Sequence, residues 1–393
     1  MKYRELLERY KKGLASEEEK LYIEQDIEKY RAIEDYLSDI ADKEFINLVE
    51  MPELEKGTEE TARIKKSVNK RLRKVVFSSV AAVILLIFMI FFVISPFVDS
   101  LYYNPAKVSV GNNYHDIDFD MKAITELNMP EYAPSTVYVE KKGFGIYDLN
   151  YSYRNIFTDE VYKADSIIRR GEIYSVDIGL YKDSNMFLDI KHPIREQKYI
   201  DEQKERVLKH IKLLNPVSYV SAGITFSNDL TMEELCGLEK MYPNIEFVWA
   251  GIRTGSPENT AMDLIGIHLR TGSMLVDVKV EEKYRAFNIL EWLVNPVGSD
   301  NGSVSIEAQA YALHYKSLLE YVLDRQKAVN AIERKSWKYE FYQSALNYAK
   351  EYGVKTYGVL VFAEAKDLVE LVENEQIKLI ELGNAMVSKR NIK

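Results

Sequence analysis

Cysteine is almost absent from this chain of 393 residues, and Cys236 is its single thiol. One thiol cannot form an intramolecular disulfide, and it cannot supply the clustered thiolates of a cysteine metal site. Cys236 stands in a helical pattern between Leu235 and Leu238, which favours a small apolar core side chain over the alternative of a nucleophile. The sequence therefore predicts a fold without covalent cross-links.

Signatures of catalysis and of nucleic-acid binding are also missing. The chain contains no Gly-x-Ser-x-Gly, no Gly-x4-Gly-Lys and no His-Glu-x-x-His. Five histidines without ligand spacing are scattered along it: His115, His192, His210, His268 and His314. The net charge of −9 argues against non-specific binding to phosphate backbones, which requires an excess of Lys and Arg. We expect no enzymatic activity, no cofactor and no direct contact with nucleic acid.

One acidic stretch has the spacing of a metal site but lacks the rest of it. Asp116, Asp118 and Asp120 match the start of a calcium-binding loop, yet the sixth position is not Gly and Leu127 stands where a bidentate Glu is needed. Apolar residues alternate with the aspartates, which is typical of a strand with one exposed face. We expect that strand, with metal binding as the alternative, and then a short helix over residues 120–128.

Long hydrophobic runs are absent except for one, at residues 75–98, which holds no charged residue. At about 1.5 Å of rise per residue it is long enough to cross a hydrocarbon core of roughly 30 Å. The pattern predicts one transmembrane helix, which Pro96 can end. The alternative is a buried helix of a large soluble protein.

Positive charge is concentrated on one side of this run. Seven basic residues precede it: Arg63, Lys65, Lys66, Lys70, Arg71, Arg73 and Lys74. The residues just after it carry no positive charge, and Tyr102 and Tyr103 suit the outer headgroup level. Because positive flanks remain in the cytoplasm, we predict a cytoplasmic N-terminus, an extracellular C-terminal part and contact of the basic cluster with membrane lipid.

The segment before the span reads as a helical domain over residues 1–60 and a basic juxtamembrane helix over 61–74. Gly13 can supply a left-handed helix end, and Ser16 with Glu19 forms a capping box for the next helix. A third helix is expected over 43–51, where Pro52 stops it. Apolar positions at helical spacing form a stripe, which we predict to bind a partner: Leu6, Leu7, Tyr10, Leu14, Ile23, Ile27, Tyr30, Ile33 and Leu37. The alternative is that these helices only cover one another.

The segment after the span divides into a β-rich region over 99–195 and an α/β domain over 196–393. Runs such as STVYVEKK and GFGIYDLNYSY alternate as strands do. Two later stretches, beginning at residues 217 and 355, each read as strand, helix and strand. We expect two βαβ units, in which the crossover makes the two strands parallel. The predicted fold class is thus α+β and α/β, with one transmembrane helix and a small helical domain.

The N-terminal motif resembles a known regulatory family. The stretch from Tyr10 through Gly13 and Ser16 to Glu19 is similar to the opening of the anti-sigma domain of membrane-anchored anti-sigma factors. Many relatives carry His-x3-Cys-x2-Cys on the second helix, and those positions correspond here to Asp26, Tyr30 and Ile33. None of the three suits a zinc site, so the resemblance implies a zinc-free version in which Tyr30 and Ile33 pack as apolar residues.

The C-terminal half resembles the sigma factor regulator C-terminal domain of low-GC Gram-positive bacteria. The resemblance rests on residues 316–332, 339–349, 357–362 and 365–368. It implies a single-pass anti-sigma factor that sequesters an extracytoplasmic-function sigma factor and releases it when the external domain senses an envelope signal, such as a ligand or a membrane partner protein. The alternative is a bitopic envelope-assembly or ligand-binding scaffold without a sigma partner.

Overall fold

The structure is a computed structural model that describes residues 10–13, 15–49, 59–175, 186–191, 196–255, 263–269, 275–289, 306–333 and 336–389. The chain forms two compact units, Met1–Leu85 and Leu86–Lys393. The predicted boundaries within these units, including the one between 99–195 and 196–393, stay predictions. Strands from both of those regions contribute to one hydrophobic cluster, as Tyr147 and Val220 show.

The first unit is helical where the structure describes it. Gly13 has a φ of +69°, the left-handed end that was predicted. Helix α1 (Glu17–Val49) then begins with the predicted capping box: the Glu19 N–H donates to Ser16 Oγ over 3.3 Å, and the Ser16 N–H donates to Glu19 Oε2 over 2.9 Å. The separate helix expected over 43–51 is wrong, because α1 continues to Val49 without a Gly or Pro to break it. Pro52 lies outside the described residues.

A continuous helical segment then carries the apolar run. It consists of α2 (Glu59–Met89), a π-helical turn (Ile90–Ile94) and α3 (Ser95–Leu101). Within it, Arg63–Leu101 is long and apolar enough to cross a membrane. The basic stretch is helical and continues into the apolar run, as predicted.

Pro96 does not end this helix, contrary to the prediction. Proline lacks the N–H that would bond the carbonyl of the fourth residue before it. The turn just before Pro96 is π-helical, so its hydrogen bonds join residues five apart instead of four. The Ser95 N–H therefore donates to Ile90 O, five residues back. The helix ends instead at Leu101, after which Tyr102 is extended.

The second unit begins with a buried helix and an antiparallel sheet. Helix α4 spans Asp116–Asn128. The sheet follows, in the order β1-β2-β3-β4: β1 (Tyr132–Gly143), β2 (Ile146–Asn155), β3 (Val161–Arg169) and β4 (Glu172–Ser175). These strands confirm the predicted β-structure, and the part of it over residues 176–185 lies outside the described residues.

The strand predicted around residues 115–120 is wrong, because α4 begins at Asp116. The His115 N–H donates to Asp118 Oδ2 over 2.9 Å and so starts the helix. Ile117 and Phe119 are both fully buried, although two residues two apart point to nearly opposite sides of a helix. Protein surrounds α4 on all sides, so apolar residues are buried on more than one face of the helix. The alternating apolar pattern here therefore reflects burial and not a β-strand.

Further helices precede the second sheet or connect its strands. They are α5 (Leu188–Lys191), α6 (Gln197–Leu213), α7 (Met232–Met241), α8 (Val278–Lys283), α9 (Ile306–Asp324), α10 (Gln326–Ile332), α11 (Lys338–Tyr352) and α12 (Ala365–Asn374). Helices α9, α10 and α11 lie between the two strand–helix–strand stretches. A capping box of Thr231 and Glu234 starts α7.

The second sheet has five strands in the order β7-β6-β8-β5-β9, and all neighbours are antiparallel. The strands are β5 (Tyr219–Thr231), β6 (Glu246–Ile252), β7 (Gly266–His268), β8 (Lys355–Glu364) and β9 (Ile377–Met386). β5 and β6 run in the same direction, and so do β8 and β9. The predicted direction within each βαβ unit is therefore correct.

The two strands of each predicted βαβ unit are parallel but not adjacent, so neighbouring strands of the sheet are antiparallel. One strand of the other unit separates the members of each pair: β8 lies between β5 and β6, and β5 lies between β8 and β9. This interlocked arrangement is the split βαβ plan of ferredoxin-like folds. A crossover helix fixes the direction of the strand that follows it. It does not determine whether a strand from another part of the chain lies between the two strands that it connects.

Both faces of this sheet are covered. Val359 and Val361 of β8 belong to the main hydrophobic cluster, with the helices. Leu360 and Phe362, which alternate with them, belong to a second cluster with Phe187 of the segment before α5. The sheet therefore forms the centre of the second unit.

Gly358 at the middle of the sheet tests this packing. A Cβ there would lie 2.3 Å from Ile224 O, a backbone atom that cannot move aside. We expect Gly358→Ala to lower the free energy of unfolding by about 1–3 kcal/mol. The matched control is Gly237→Ala in α7, where a Cβ meets nothing within 4 Å and should stabilise by about 0.5–1 kcal/mol. Thermal unfolding of the purified full chain measures both, and equal shifts would contradict the packing described.

Candidate functional site

The end of the apolar helix is hydrogen-bonded to the β1–β2 hairpin. Ser95 Oγ accepts the Phe144 N–H over 3.0 Å, and Asp99 Oδ1 accepts the Gly145 N–H over 2.7 Å. Lys141 Nζ lies 2.6 Å from Asp99 Oδ2. Asp99 is 3% exposed, so its charge is held by these partners and not by water. We call these five residues the junction.

The hairpin turn is shaped to fit the helix. Gly143, Phe144 and Gly145 have φ values of +86°, +55° and +74°, three successive left-handed residues. Glycine adopts this conformation without steric cost, and at Gly143 it also leaves room, because a Cβ would lie 2.9 Å from Ser95 Oγ. The Phe144 ring meets the Phe91 ring with 6.3 Å between centroids. The turn therefore follows the last turns of the apolar helix.

Tyr147 of β2 supports the junction from inside. Its side chain is fully buried, and burial together with the Asp99 carboxylate raises the pKa of its hydroxyl. The hydroxyl thus stays protonated at neutral pH and adds no charge beside Asp99. A change in the protonation state of the Tyr147 hydroxyl therefore cannot alter the junction at physiological pH.

A buried ionic cluster joins α4 to the turn between α9 and α10. Asp120 accepts hydrogen bonds from the hydroxyls of Tyr103 and Tyr321 over 2.6 and 2.7 Å. Arg325 donates to both oxygens of Asp120 over 2.9 Å and lies 3.2 Å from Asp116. Burial, reinforced by Asp120, raises the pKa of both tyrosines well above the usual range. Both therefore remain donors, and the two carboxylates share one guanidinium.

A second buried cluster lies further along α4. Lys122 Nζ and His314 Nε2 lie 2.7 and 2.6 Å from the two oxygens of Glu126. Burial would raise the pKa of Glu126, but Lys122 and His314 outweigh it and lower the pKa. His314 Nδ1 also bonds Ala286 O over 2.6 Å, and Trp249 Nε1 donates to Glu126 O over 2.9 Å. These contacts join α4 to α9 and to β6.

The predicted partner-binding residues lie outside these clusters. Leu6, Leu7 and Leu14 fall outside the described residues, and so does the side chain of Leu37. Ile23 is fully buried, whereas Ile27, Tyr30 and Ile33 are 38%, 70% and 53% exposed. The Tyr10 hydroxyl donates to Glu24 over 3.3 Å. An apolar stripe on α1 is thus open to solvent at three of its predicted positions.

The positions of the zinc motif are occupied in another way. Asp26 pairs with Lys29 over 3.1 Å. Tyr30 and Ile33 are exposed, so the described residues do not show the apolar packing expected of them in place of a metal. Among the residues that the structure describes, no group of three His, Cys, Asp or Glu side chains could hold a metal ion.

Sequence reasoning missed the junction and both ionic clusters. Asp99 gave one signal, because a carboxylate one residue beyond the apolar run at 75–98 requires a partner. The glycines on both sides of Phe144 gave a second signal of a strained turn. No local sequence pattern shows that the helix end and this turn, 46 to 49 positions apart, are hydrogen-bonded to each other.

Residues 211–384 match the family described as sigma factor regulator C-terminal. The matched segment begins in α6, ends in β9 and contains the other four strands of the second sheet. It contains Arg325, His314 and Trp249, the partners of α4, while the junction and α4 itself precede it. No curated protein and no solved structure matches the chain. The match supports a relationship to sigma factor regulators, whose role is regulatory and not enzymatic.

Asp99 at the junction should protect the Gly145 amide. Asp99→Ala removes the charged acceptor, and we expect exchange of the Gly145 N–H to speed up by about tenfold or more, the effect of losing a charge-assisted hydrogen bond. Ser100→Ala is the control, because Ser100 Oγ bonds Phe97 O within its own helix. Hydrogen exchange of the full chain measures both; unchanged exchange in Asp99→Ala would contradict the junction.

His268 should make stability depend on pH. Its side chain is buried, and burial lowers its pKa to about 4 from an ordinary value of about 6.5. The unfolded chain binds a proton that the folded chain refuses between these values, so stability is present above pH 6.5 and falls as the pH drops toward 4. The full window corresponds to about 3 kcal/mol.

Replacing His268 should flatten that dependence. His268→Gln keeps a side-chain N–H for Pro130 O, which lies 3.4 Å from His268 Nε2, but cannot titrate. We expect the slope of unfolding free energy between pH 6.5 and 4.5 to decrease in this variant. His210→Gln on α6 serves as the control. An unaltered slope in His268→Gln would rule out His268 as its source.

Proposed function

We propose that the chain is a single-pass membrane anti-sigma factor. In this proposal the segment before the apolar helix lies in the cytoplasm and sequesters an extracytoplasmic-function sigma factor, and the part after it lies outside and senses the state of the envelope. The observation that carries the proposal is the match of residues 211–384 to sigma factor regulators, in the same chain as a membrane-capable helix.

The exposed stripe on α1 supports the cytoplasmic half of the proposal. Ile27, Tyr30 and Ile33 lie at helical spacing and expose apolar surface, and such a surface is typical of a helix that binds in a partner's groove. Glu17, Glu18 and Glu19 lie in the first turn of the same helix. Carboxylates there would speed association with a basic surface on the partner. Binding is stoichiometric inhibition, and it needs no catalytic group.

The contacts of the second unit support the transmission of a signal. The junction ties the end of the apolar helix to β1 and β2, and β1 packs on α4. Helix α4 is tied in turn to the family-matched segment through Asp120 with Arg325 and Glu126 with His314. A rearrangement of the sensor segment would reach the membrane helix along this path. Release by a conformational change or by proteolysis is compatible with the same path.

The predicted stripe can be tested by two substitutions on one face of α1. Ile27→Asp with Tyr30→Asp should weaken capture of the sigma factor by at least about a hundredfold, because an apolar contact would then have to bury two carboxylates. The control, Gln25→Asp with Ala32→Asp, adds the same charges at exposed positions on the opposite side of the helix. Co-purification of sigma factor with the full chain measures capture.

Two outcomes would contradict this proposal in different ways. Equal capture by both double variants would exclude the stripe as the binding surface. Full cellular function after removal of residues 2–55 would instead favour the envelope scaffold, since the external part would then act without a cytoplasmic partner.

A further inference from the structure

A cleft of about 610 Å³ opens beside the end of the apolar helix. One wall is formed by the last turn of α3 and the segment that follows it, and the opposite wall is formed by the start of α10. Lys141 of β1 and Asp116 of α4 close the sides. The volume suits a small polar group and not a folded partner.

Each carboxylate that lines the cleft has a cationic partner. Asp99 is paired with Lys141, and Asp116 accepts the backbone N–H groups of Ser109 and Val110 and lies beside Arg325. Asp324 is paired with Lys283 over 2.8 Å. Asp116 and Asp120 share the single charge of Arg325, so one negative charge remains at this side of the cleft, and Asp99 and Asp324 add none.

Two further ammonium groups leave the cleft with a positive surplus. Lys107 and Lys327 both line it and are exposed. In the described part of the chain neither has a carboxylate partner. Lys327 Nζ donates to Leu101 O over 3.1 Å, the last carbonyl of the apolar helix. The cleft therefore presents two ammonium donors to an anion, one of which also holds the helix end.

The position of the cleft indicates the source of the anion. Pro96 and Ser100, which line it, belong to the apolar helix and its last turn, and Tyr102 follows at once. If this helix crosses a membrane, these residues lie at the level of the headgroups. A lipid phosphate is the anion most concentrated at that depth.

We propose that this cleft binds the phosphate of an anionic lipid, and that binding weakens the hold of Lys327 on the end of the membrane helix. The inference rests on the proposed function, because it assumes that the helix spans the membrane with this end outside. Lys107 approaches the phosphate without giving up a partner. Lys327 exchanges Leu101 O for it, so lipid occupancy and the helix end are coupled.

Native mass spectrometry of the full chain in non-ionic detergent tests the binding step. Phosphatidic acid, phosphatidylcholine and inorganic phosphate are the three probes. We expect one phosphatidic acid per chain, and about tenfold weaker retention in Lys107→Gln, since one charge-assisted hydrogen bond is lost. Lys163→Gln, an exposed lysine of β3 outside the cleft, should retain the lipid as the unaltered chain does.

The outcomes separate the sources of phosphate. Retention of phosphatidic acid without binding of inorganic phosphate supports a lipid, whereas binding of inorganic phosphate that Lys107→Gln abolishes supports the same chemistry from a soluble anion and overturns the lipid assignment. Equal retention in Lys107→Gln and Lys163→Gln, or no retention at all, overturns the site.

Hydrogen exchange over residues 97–104 tests the coupling. Phosphatidic acid should speed exchange there in the unaltered chain and not in Lys107→Gln; no change in either would overturn the regulatory step. Neither experiment contains a sigma factor. Failure of the cleft is therefore distinguishable from failure of sigma capture.

Discussion

The second unit depends on the pairing of charges on a helix that is buried on all sides. Asp116, Asp120, Lys122 and Glu126 of α4 are each at most 2% exposed. Removing one partner of a buried ion pair typically costs about 3–5 kcal/mol, because the other charge is left without water or a counterion. Arg325 and His314 are therefore required where they are. The positions of α9 and α10 follow from that requirement.

The two ends of α4 have different ionic partners. Asp116 and Asp120 lie beside Arg325, near the end of the apolar helix, whereas Glu126 toward the other end of α4 faces His314, with Trp249 on its backbone carbonyl. Ionic contacts hold a single geometry more strictly than apolar contacts do, since a shift of about 1 Å breaks a hydrogen bond. A helix held in this way is fixed in position relative to its partners. The junction extends the same property to the apolar helix through Asp99.

Some of the architecture could be predicted because it depends on neighbouring residues. The apolar run, the capping boxes of Ser16 and Thr231 and the left-handed Gly13 each depend on a few consecutive positions, and the structure contains all of them. The direction of β6 after β5 also follows from a short connection. By contrast, the insertion of β8 between these strands depends on residues more than a hundred positions away, and no local pattern reports it.

The sequence alone determined the membrane-capable helix, the strand–helix–strand order and the absence of disulfide cross-links, because length, local hydrogen bonding and residue type decide these. Tertiary structure decided the rest. It turned an alternating acidic stretch into a fully buried helix, made the two crossover units interlock, and placed Gly145 against Asp99. In each case the outcome depends on burial. Polar groups that are removed from water need hydrogen-bond or ionic partners elsewhere in the fold, and the order of residues along the chain does not specify those partners.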